Sequence, residues 1–189
     1  MGKRKLAVFA SGSGSNFEAI AEGCRSGDIR DAEVVLCVCD RPGAKVLERA
    51  ERFGVRTFVF SPKAYATKSD FEREIADLMD SLDVELVCLA GYMRIVGEEL
   101  LGRYGGKIVN IHPALLPAFP GAHAIKDAFE YGVKVYGVTI HEVDATLDGG
   151  RIISQVAVPY EGSDIEELEA EIHKAEHKLY IETINKLLV

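Results

Sequence analysis

The chain has few cysteines, no long apolar run and no excess of positive charge, and each shortage excludes a class of protein. Its four cysteines form no C-x-x-C pair, which argues against a zinc cage and a disulfide framework. No apolar stretch reaches the roughly 18 to 20 residues that a membrane span needs. The formal net charge is −8, with 30 acidic against 22 basic residues. A generic nucleic-acid binder is therefore not expected.

The length and composition are those of one compact domain. The 189 residues are 48% apolar, enough to bury a sizeable core, so we expect a single domain spanning residues 1–189. The basic start precedes an apolar segment of residues 6–10 only, which is too short for a secretory signal and is better interpreted as a first strand. We therefore expect a cytoplasmic protein whose cysteines are reduced core residues.

Apolar runs alternate with amphipathic segments along the first half of the chain. Continuous apolar runs are typical of parallel strands covered on both faces, and here they occupy residues 6–10, 34–39, 55–60 and 84–90. Longer strands at 134–143 and 151–158 flank a tight reversal. The sequence thus predicts an α/β fold: a doubly wound, Rossmann-like, mostly parallel sheet with a C-terminal antiparallel strand pair.

Two helices have recognisable starts. Ser69 with Glu72 predicts a capping box for a helix over residues 69–82. Ser163 with Glu166 predicts the start of a long C-terminal helix, with acidic residues early and lysines late, as the helix dipole prefers.

An amide, an imidazole and a carboxylate carry the strongest chemical signal. Asn110 and His112 are two apart in a predicted strand and so project from one face, until Pro113 ends the ladder. Asp148 stands in the reversal. Alone, His112 is more often a structural histidine and Asp148 a turn residue. Together they predict an acyl-transfer site without a side-chain nucleophile, because a carboxylate orients an imidazole and favours its charged form.

Three further patterns flank this triple. The loop S-G-S-G-S-N at 11–16 favours an anion such as phosphate at a helix start; the alternative is a flexible turn with Ser15 or Asn16 as N-cap. A-G-Y-M-R-I-V at 90–96 follows the fourth strand, where α/β sheets bind ligands; it could instead be core filler with Arg94 as a surface charge. The proline-rich loop 113–121 should be stiff.

One metal-binding motif gives a weaker signal than the patterns above. H-x-x-E-H at 173–177 matches a zinc-peptidase pattern, but a third ligand is missing. A solvated helix face is the favoured interpretation, and no metal is predicted.

These motifs, in this order and spacing, resemble the phosphoribosylglycinamide formyltransferases of purine biosynthesis over essentially the whole chain. N-I-H-P-x-L-L-P at 110–117 with a later D-G-G is specific to formyl-folate enzymes, and the early G-S-N loop marks this branch. The resemblance implies transfer of a formyl group from 10-formyltetrahydrofolate to the amine of glycinamide ribonucleotide. It implies small-molecule partners only, with no nucleic acid, membrane or metal, and allows a homodimer.

The resemblance also assigns roles to residues. The implied catalytic residues are Asn110, His112 and Asp148. Those for the substrate are Gly14, Ser15, Asn16 and Glu176. Those for the folate are Lys68, Met93, Arg94, Ile95, Val96 and Asn110. Lys68 replaces an arginine of some members, which weakens the expectation there because lysine lacks the bidentate fork; Ala114 replaces a common serine.

Three alternatives share the fold. A formyltetrahydrofolate hydrolase would use the same triple on water, but such relatives carry an N-terminal regulatory domain, whereas this chain starts at its first strand. Methionyl-tRNA formyltransferase needs a further C-terminal domain and positive charge. An NAD(P)-binding reductase or sensor would place Asp40 on a ribose, but the third glycine of its fingerprint falls on Phe17.

Overall fold

A computed structural model describes residues 2–189 and contains one seven-stranded sheet flanked by helices. The strands are β1 (Arg4–Ala10), β2 (Ala32–Cys39), β3 (Arg56–Val59), β4 (Leu86–Leu89), β5 (Ile108–His112), β6 (Val135–Glu142) and β7 (Ile152–Pro159). The helices are α1 (Ser15–Ser26), α2 (Lys45–Arg52), α3 (Lys68–Ser81), α4 (Glu98–Tyr104), α5 (Ala124–Tyr131) and α6 (Ile165–Leu187).

The strand order is β3-β2-β1-β4-β5-β6-β7. The first five strands in this order are parallel, β6 is antiparallel to β5, and β7 is antiparallel to β6. The chain therefore builds outwards from β1 in one direction and then, from β4 onwards, in the other. The predicted doubly wound sheet, its C-terminal antiparallel pair and the long C-terminal helix are confirmed.

Both faces of the sheet are buried, which explains the continuous apolar runs. In β1, Leu6 and Val8 contribute to the core that includes α1 and α6, whereas Ala7 and Phe9 contribute to the opposite core with α3 and α4. The hydroxyl of Tyr180, fully buried in α6, donates to the carbonyl oxygen of Leu89 at 2.7 Å. This bond fixes α6 above the carboxyl end of β4.

Both predicted helix caps are wrong by one or two residues. The capping box of α3 is formed by Thr67 and Asp70, because each side chain accepts from the other's backbone N–H. Glu72 is buried instead and accepts from the N–H of Gly97 at 2.7 Å. The cap of α6 is Asp164, whose carboxylate accepts from the N–H of Glu166 at 2.9 Å. A carboxylate at this position also suits the helix dipole.

The four cysteines are free; Cys37, Cys39 and Cys88 are buried in the core, as predicted, whereas Cys24 is only partly buried. Burial raises the pKa of the Cys37 thiol to about 12, which keeps it protonated. Within residues 2–189, no helix combines the length and hydropathy required to cross a bilayer.

Candidate active site

A cleft of about 520 Å³ opens at the carboxyl ends of β1, β4 and β5. This is where the chain reverses its direction of growth across the sheet, the usual ligand position in doubly wound folds. The loops after β1 and β4, the end of β5, the β6–β7 loop and one face of α6 line the cleft.

The glycine-serine loop forms one end of the cleft. Gly14 has φ of 76° and is itself the N-cap of α1, without a side-chain cap. The alternative in which Ser15 or Asn16 caps the helix is therefore wrong, and the first N–H groups of α1 stay available to an anion. Helix α2 fixes this loop from behind, since Val46 N–H donates to Gly12 O at 3.1 Å and Arg49 Nε donates to Ser13 O at 2.7 Å.

The loop after β4 forms an apolar wall. Ser11 ties it to β1, because Ser11 N–H donates to the carbonyl of Gly91 and Ser11 Oγ accepts from the N–H of Met93. Met93 and Ile95 are 60% and 59% exposed. Large apolar side chains left open in a concave site favour a flat, apolar ligand group, so the core-filler interpretation does not hold for these two residues.

Arg94, in the same loop, is not a free surface charge. Its Nε lies 3.0 Å from Oδ2 of the buried Asp40 at the end of β2, and its guanidinium carbon lies 5.9 Å from the ring centroid of Phe71. The carboxylate that an NAD(P) site would offer to a ribose is thus already engaged by a cation.

Of the triple predicted from the sequence, Asn110 and Asp148 line the cleft, and His112 lies buried beside Asp148. His112 is buried, and its Nε2 lies 2.7 Å from the carbonyl oxygen of Phe119. Because a carbonyl only accepts, Nε2 carries a proton and Nδ1 is left facing Oδ2 of Asp148 across 3.7 Å. Asp148 Oδ2 also accepts from the N–H of Gly121 at 2.8 Å. Asn110 lies two residues before His112 on the same strand and, like Asp148, lines the cleft.

Close packing explains the two glycines of the D-G-G turn. Asp148 has φ of 50°, a left-handed conformation that Asp tolerates better than most residues. A Cβ at Gly150 would collide with the carbonyl oxygen of Glu142, and one at Gly149 would collide with the Thr146 side chain. The two glycines therefore let the loop fold tightly enough to return Asp148 to β5.

His141 is a member of the site that sequence reasoning missed. It pairs with Asn110 across β5 and β6, and its Nε2 lies 3.2 Å from Asn110 Nδ2 and 3.9 Å from Asp148 Oδ1. Its Nδ1 lies 2.9 Å from the carbonyl oxygen of Glu142, so Nδ1 donates there and Nε2 accepts from the amide. The available signal was polar Thr139 and His141, two apart, in an otherwise apolar strand.

Thr139 holds the proline-rich loop against β6. Its hydroxyl donates to the carbonyl of Ala114 at 2.7 Å and accepts from the N–H of Leu116 at 3.1 Å. Gln155 of β7 adds a contact to the same hydroxyl. These bonds order the loop that carries Phe119, the residue whose carbonyl holds His112.

Glu176 is buried on the face of α6 that lines the cleft. Its Oε2 lies 2.8 Å from His173 Nδ1 and 3.3 Å from Asn16 Nδ2, so the glycine-serine loop and α6 meet here. His173 is half exposed, but Nε2 of His177 is buried without a partner. The solvated-face interpretation is therefore wrong for His177. Among residues 2–189, no group of three or more His, Cys, Asp and Glu side chains could hold a metal ion.

Lys68, like the buried His112, is a predicted site residue that does not line the cleft. It opens α3, and its Nζ lies 3.8 Å from Oε1 of Glu72. Its Cε packs near Gly97, which follows the cleft-lining Val96. Lys68 therefore stands behind the wall of the cleft rather than in its lining.

This fold is that of a formyl transferase. Residues 4–184 match the family model described as "Formyl transferase", and the chain belongs to that family.

Individual relatives show which branch of the formyl transferase family this chain resembles. The chain is 52% identical over 186 residues to phosphoribosylglycinamide formyltransferase of Bacillus subtilis (strain 168), covering 98% of this chain and 95% of the relative. It superposes on glycinamide ribonucleotide transformylase 1 from Geobacillus kaustophilus with a TM-score of 0.93, 53% identity and 98% coverage of each chain. It is also 41% identical to a trifunctional purine biosynthetic protein of Gallus gallus, of which it covers 18%. The resemblance found from the motifs is thus confirmed.

Proposed function

We propose that the cleft transfers the formyl group of 10-formyltetrahydrofolate to the primary amine of glycinamide ribonucleotide. The observation that carries the proposal is that Asn110 and Asp148 line a cleft with two different ends, while His112 is buried beside Asp148 with its Nδ1 3.7 Å from Asp148 Oδ2. One end offers the uncapped N–H groups of α1 to a phosphate, and the other offers exposed Met93 and Ile95 to a pteridine-like ring. The names of the relatives support the same substrate.

The proposed reaction is a direct attack. The amine nitrogen bonds to the formyl carbon, and the formyl oxygen becomes an oxyanion. The Asn110 amide donates a hydrogen bond to that oxygen, and the imidazole of His112, held beside Asp148, supports it through the electrostatic field of the site, a preorganised effect. The amine proton passes through water to Asp148. The bond from carbon to N10 then breaks as N10 takes that proton from Asp148 through water, and the carbonyl re-forms on the product amide.

The substrates are divided between the two ends of the cleft. Gly14, Ser15 and Asn16 hold the phosphate of glycinamide ribonucleotide, and Glu176 accepts from its sugar hydroxyls. Met93, Arg94, Ile95 and Val96 hold the folate, and Lys68 approaches the folate from behind the wall.

The test mixes the purified chain with glycinamide ribonucleotide and a 10-formyl folate and follows deformylation of the folate by absorbance. We expect deformylation that requires the amine, and we expect His112→Ala to lose most of it. Deformylation at the same rate without the amine would establish a hydrolase instead. Tight binding of NADH together with no binding of the folate, measured by calorimetry, would overturn the assignment altogether.

A further inference from the structure

Glu176 is a buried carboxylate whose charge needs a partner. Its side chain is only 6% exposed, and an ionised carboxylate at such depth is strongly disfavoured unless it is paired and hydrogen-bonded. Asn16 of α1 supplies a neutral N–H to Oε2 at 3.3 Å. His173, one turn earlier on α6, supplies the second contact at 2.8 Å and can carry a positive charge.

The other ionisable groups around the pair do not replace His173. On α6, Glu169 adds negative charge, and burial lowers the pKa of His177, which favours its neutral form. From α2, Arg49 points towards this region, but its guanidinium is paired with Glu18 of α1. Within residues 2–189, His173 is the cationic side chain that contacts Glu176.

We propose that His173 is the counter-ion that aligns Glu176 for the substrate, so that affinity for the amine substrate depends on the protonation of His173. This inference rests on the proposed function and adds a positioning residue to it. With Oε2 engaged by His173 and Asn16, the remaining acceptor capacity of the carboxylate is free for a substrate hydroxyl. The imidazolium also places positive charge beside the anion-binding loop, since both line the same cleft.

The direction of the pH effect follows from the contact. The hydrogen bond that His173 donates to the Glu176 carboxylate raises the pKa of His173 above its ordinary value, with Glu169 acting in the same sense. The charged form is therefore fully present at low pH and is lost as pH rises through the raised value. Binding of the amine substrate should weaken over the same interval.

The first test compares KM for glycinamide ribonucleotide between wild type and His173→Gln at pH 6 and pH 9. Glutamine can donate to Glu176 but has no charge. Ionisation of the substrate affects both proteins equally and cancels in the ratio of their KM values. We expect KM of the variant to exceed that of wild type about fivefold at pH 6, the difference between a charged and a neutral hydrogen bond. The ratio should approach one at pH 9.

Lys178→Gln is the matched control, because it also removes a cation from α6 but from an 80% exposed side chain that pairs with Glu182. Its KM should equal that of wild type at both pH values. A His173→Gln ratio that does not change with pH would overturn the inference while leaving the proposed function intact. Absence of formylation by wild type at every pH would instead refute the proposed function.

The second test needs no substrate. NMR titration of the His173 ring should give a higher midpoint in wild type than in Glu176→Gln, where it should return towards about 6.5. Equal midpoints would show that Glu176 is not the partner of a charged His173, and would refute the inference independently of any activity measurement.

Discussion

Asn110 and His141 face each other across the antiparallel pair of β5 and β6, with the amide nitrogen 3.2 Å from the imidazole Nε2. Because His141 Nδ1 donates to a backbone carbonyl, Nε2 accepts one N–H of the amide and leaves the other for a ligand. His141 thus fixes which end of the amide faces the cleft. In metal sites, a residue that hydrogen-bonds to a ligand orients that ligand, and His141 orients the Asn110 amide in the same way.

We therefore predict that His141→Ala lowers kcat about 10- to 100-fold with little change in KM, by analogy with the loss of other orienting contacts. Steady-state kinetics on the single variants and the double variant would check this. If His141 acts through Asn110, Asn110→Ala with His141→Ala should be no slower than Asn110→Ala alone. Multiplicative losses would mean that the two residues act separately.

Asp148→Asn should remove the charge of this side chain while keeping the packing of its loop. Asparagine tolerates the left-handed backbone and can still accept from the N–H of Gly121, but it has no charge to offer His112 or the amine proton. We expect kcat to fall about 100- to 10,000-fold with an unchanged melting temperature. Asp148→Ala should lose both activity and thermal stability. Near-normal turnover by the asparagine variant would remove Asp148 from the proposed mechanism.

Gly14→Ala should damage the end of the cleft that we propose binds the phosphate. The backbone there has φ of 76°, and a Cβ would come within 2.5 Å of the Val46 side chain. We expect a loss of stability above the roughly 1 to 2 kcal/mol of left-handed strain and a higher KM for glycinamide ribonucleotide. KM for the folate should change less.

Gly27→Ala is the control for that prediction. It has the same handedness, with φ of 89°, but open space around its Cβ position at the far end of α1. Thermal unfolding should show the strain alone, and the kinetics should match wild type. If both variants had the same KM for the amine substrate, the loop would not be the phosphate site.

Asp40→Asn should loosen Arg94. The carboxylate is buried and holds the guanidinium at 3.0 Å, so its neutralisation removes the charge that fixes this side chain in the apolar wall proposed to bind the folate. We expect KM for the folate to rise about tenfold, equivalent to about 1.4 kcal/mol, with a smaller change in kcat. Glu99→Gln, which breaks an ion pair with the half-exposed Arg73 away from the cleft, should have almost no effect. Equal effects of the two variants would contradict a specific role for Asp40.

The sequence predicted the fold more accurately than it predicted the details of the site. Alternating apolar and amphipathic segments were sufficient for the doubly wound sheet, because strands buried on both faces need continuous apolar runs. The N-caps of α3 and α6 were misplaced because several neighbouring Ser, Thr and Asp residues can each accept from a helix start. Thr67 and Asp164, rather than Ser69 and Ser163, fill those positions.

By itself, the sequence determined the fold class, the family and the side chains available for formyl transfer, since these depend on local periodicity and on motifs such as 110–117. Tertiary structure alone decided which side chains meet. His141 joined the site through strand pairing, Asp40 after β2 met Arg94 in the loop after β4, and Asn16 of α1 met Glu176 of α6. Such contacts join residues far apart in the chain, and only the packed sheet brings their elements within hydrogen-bonding distance.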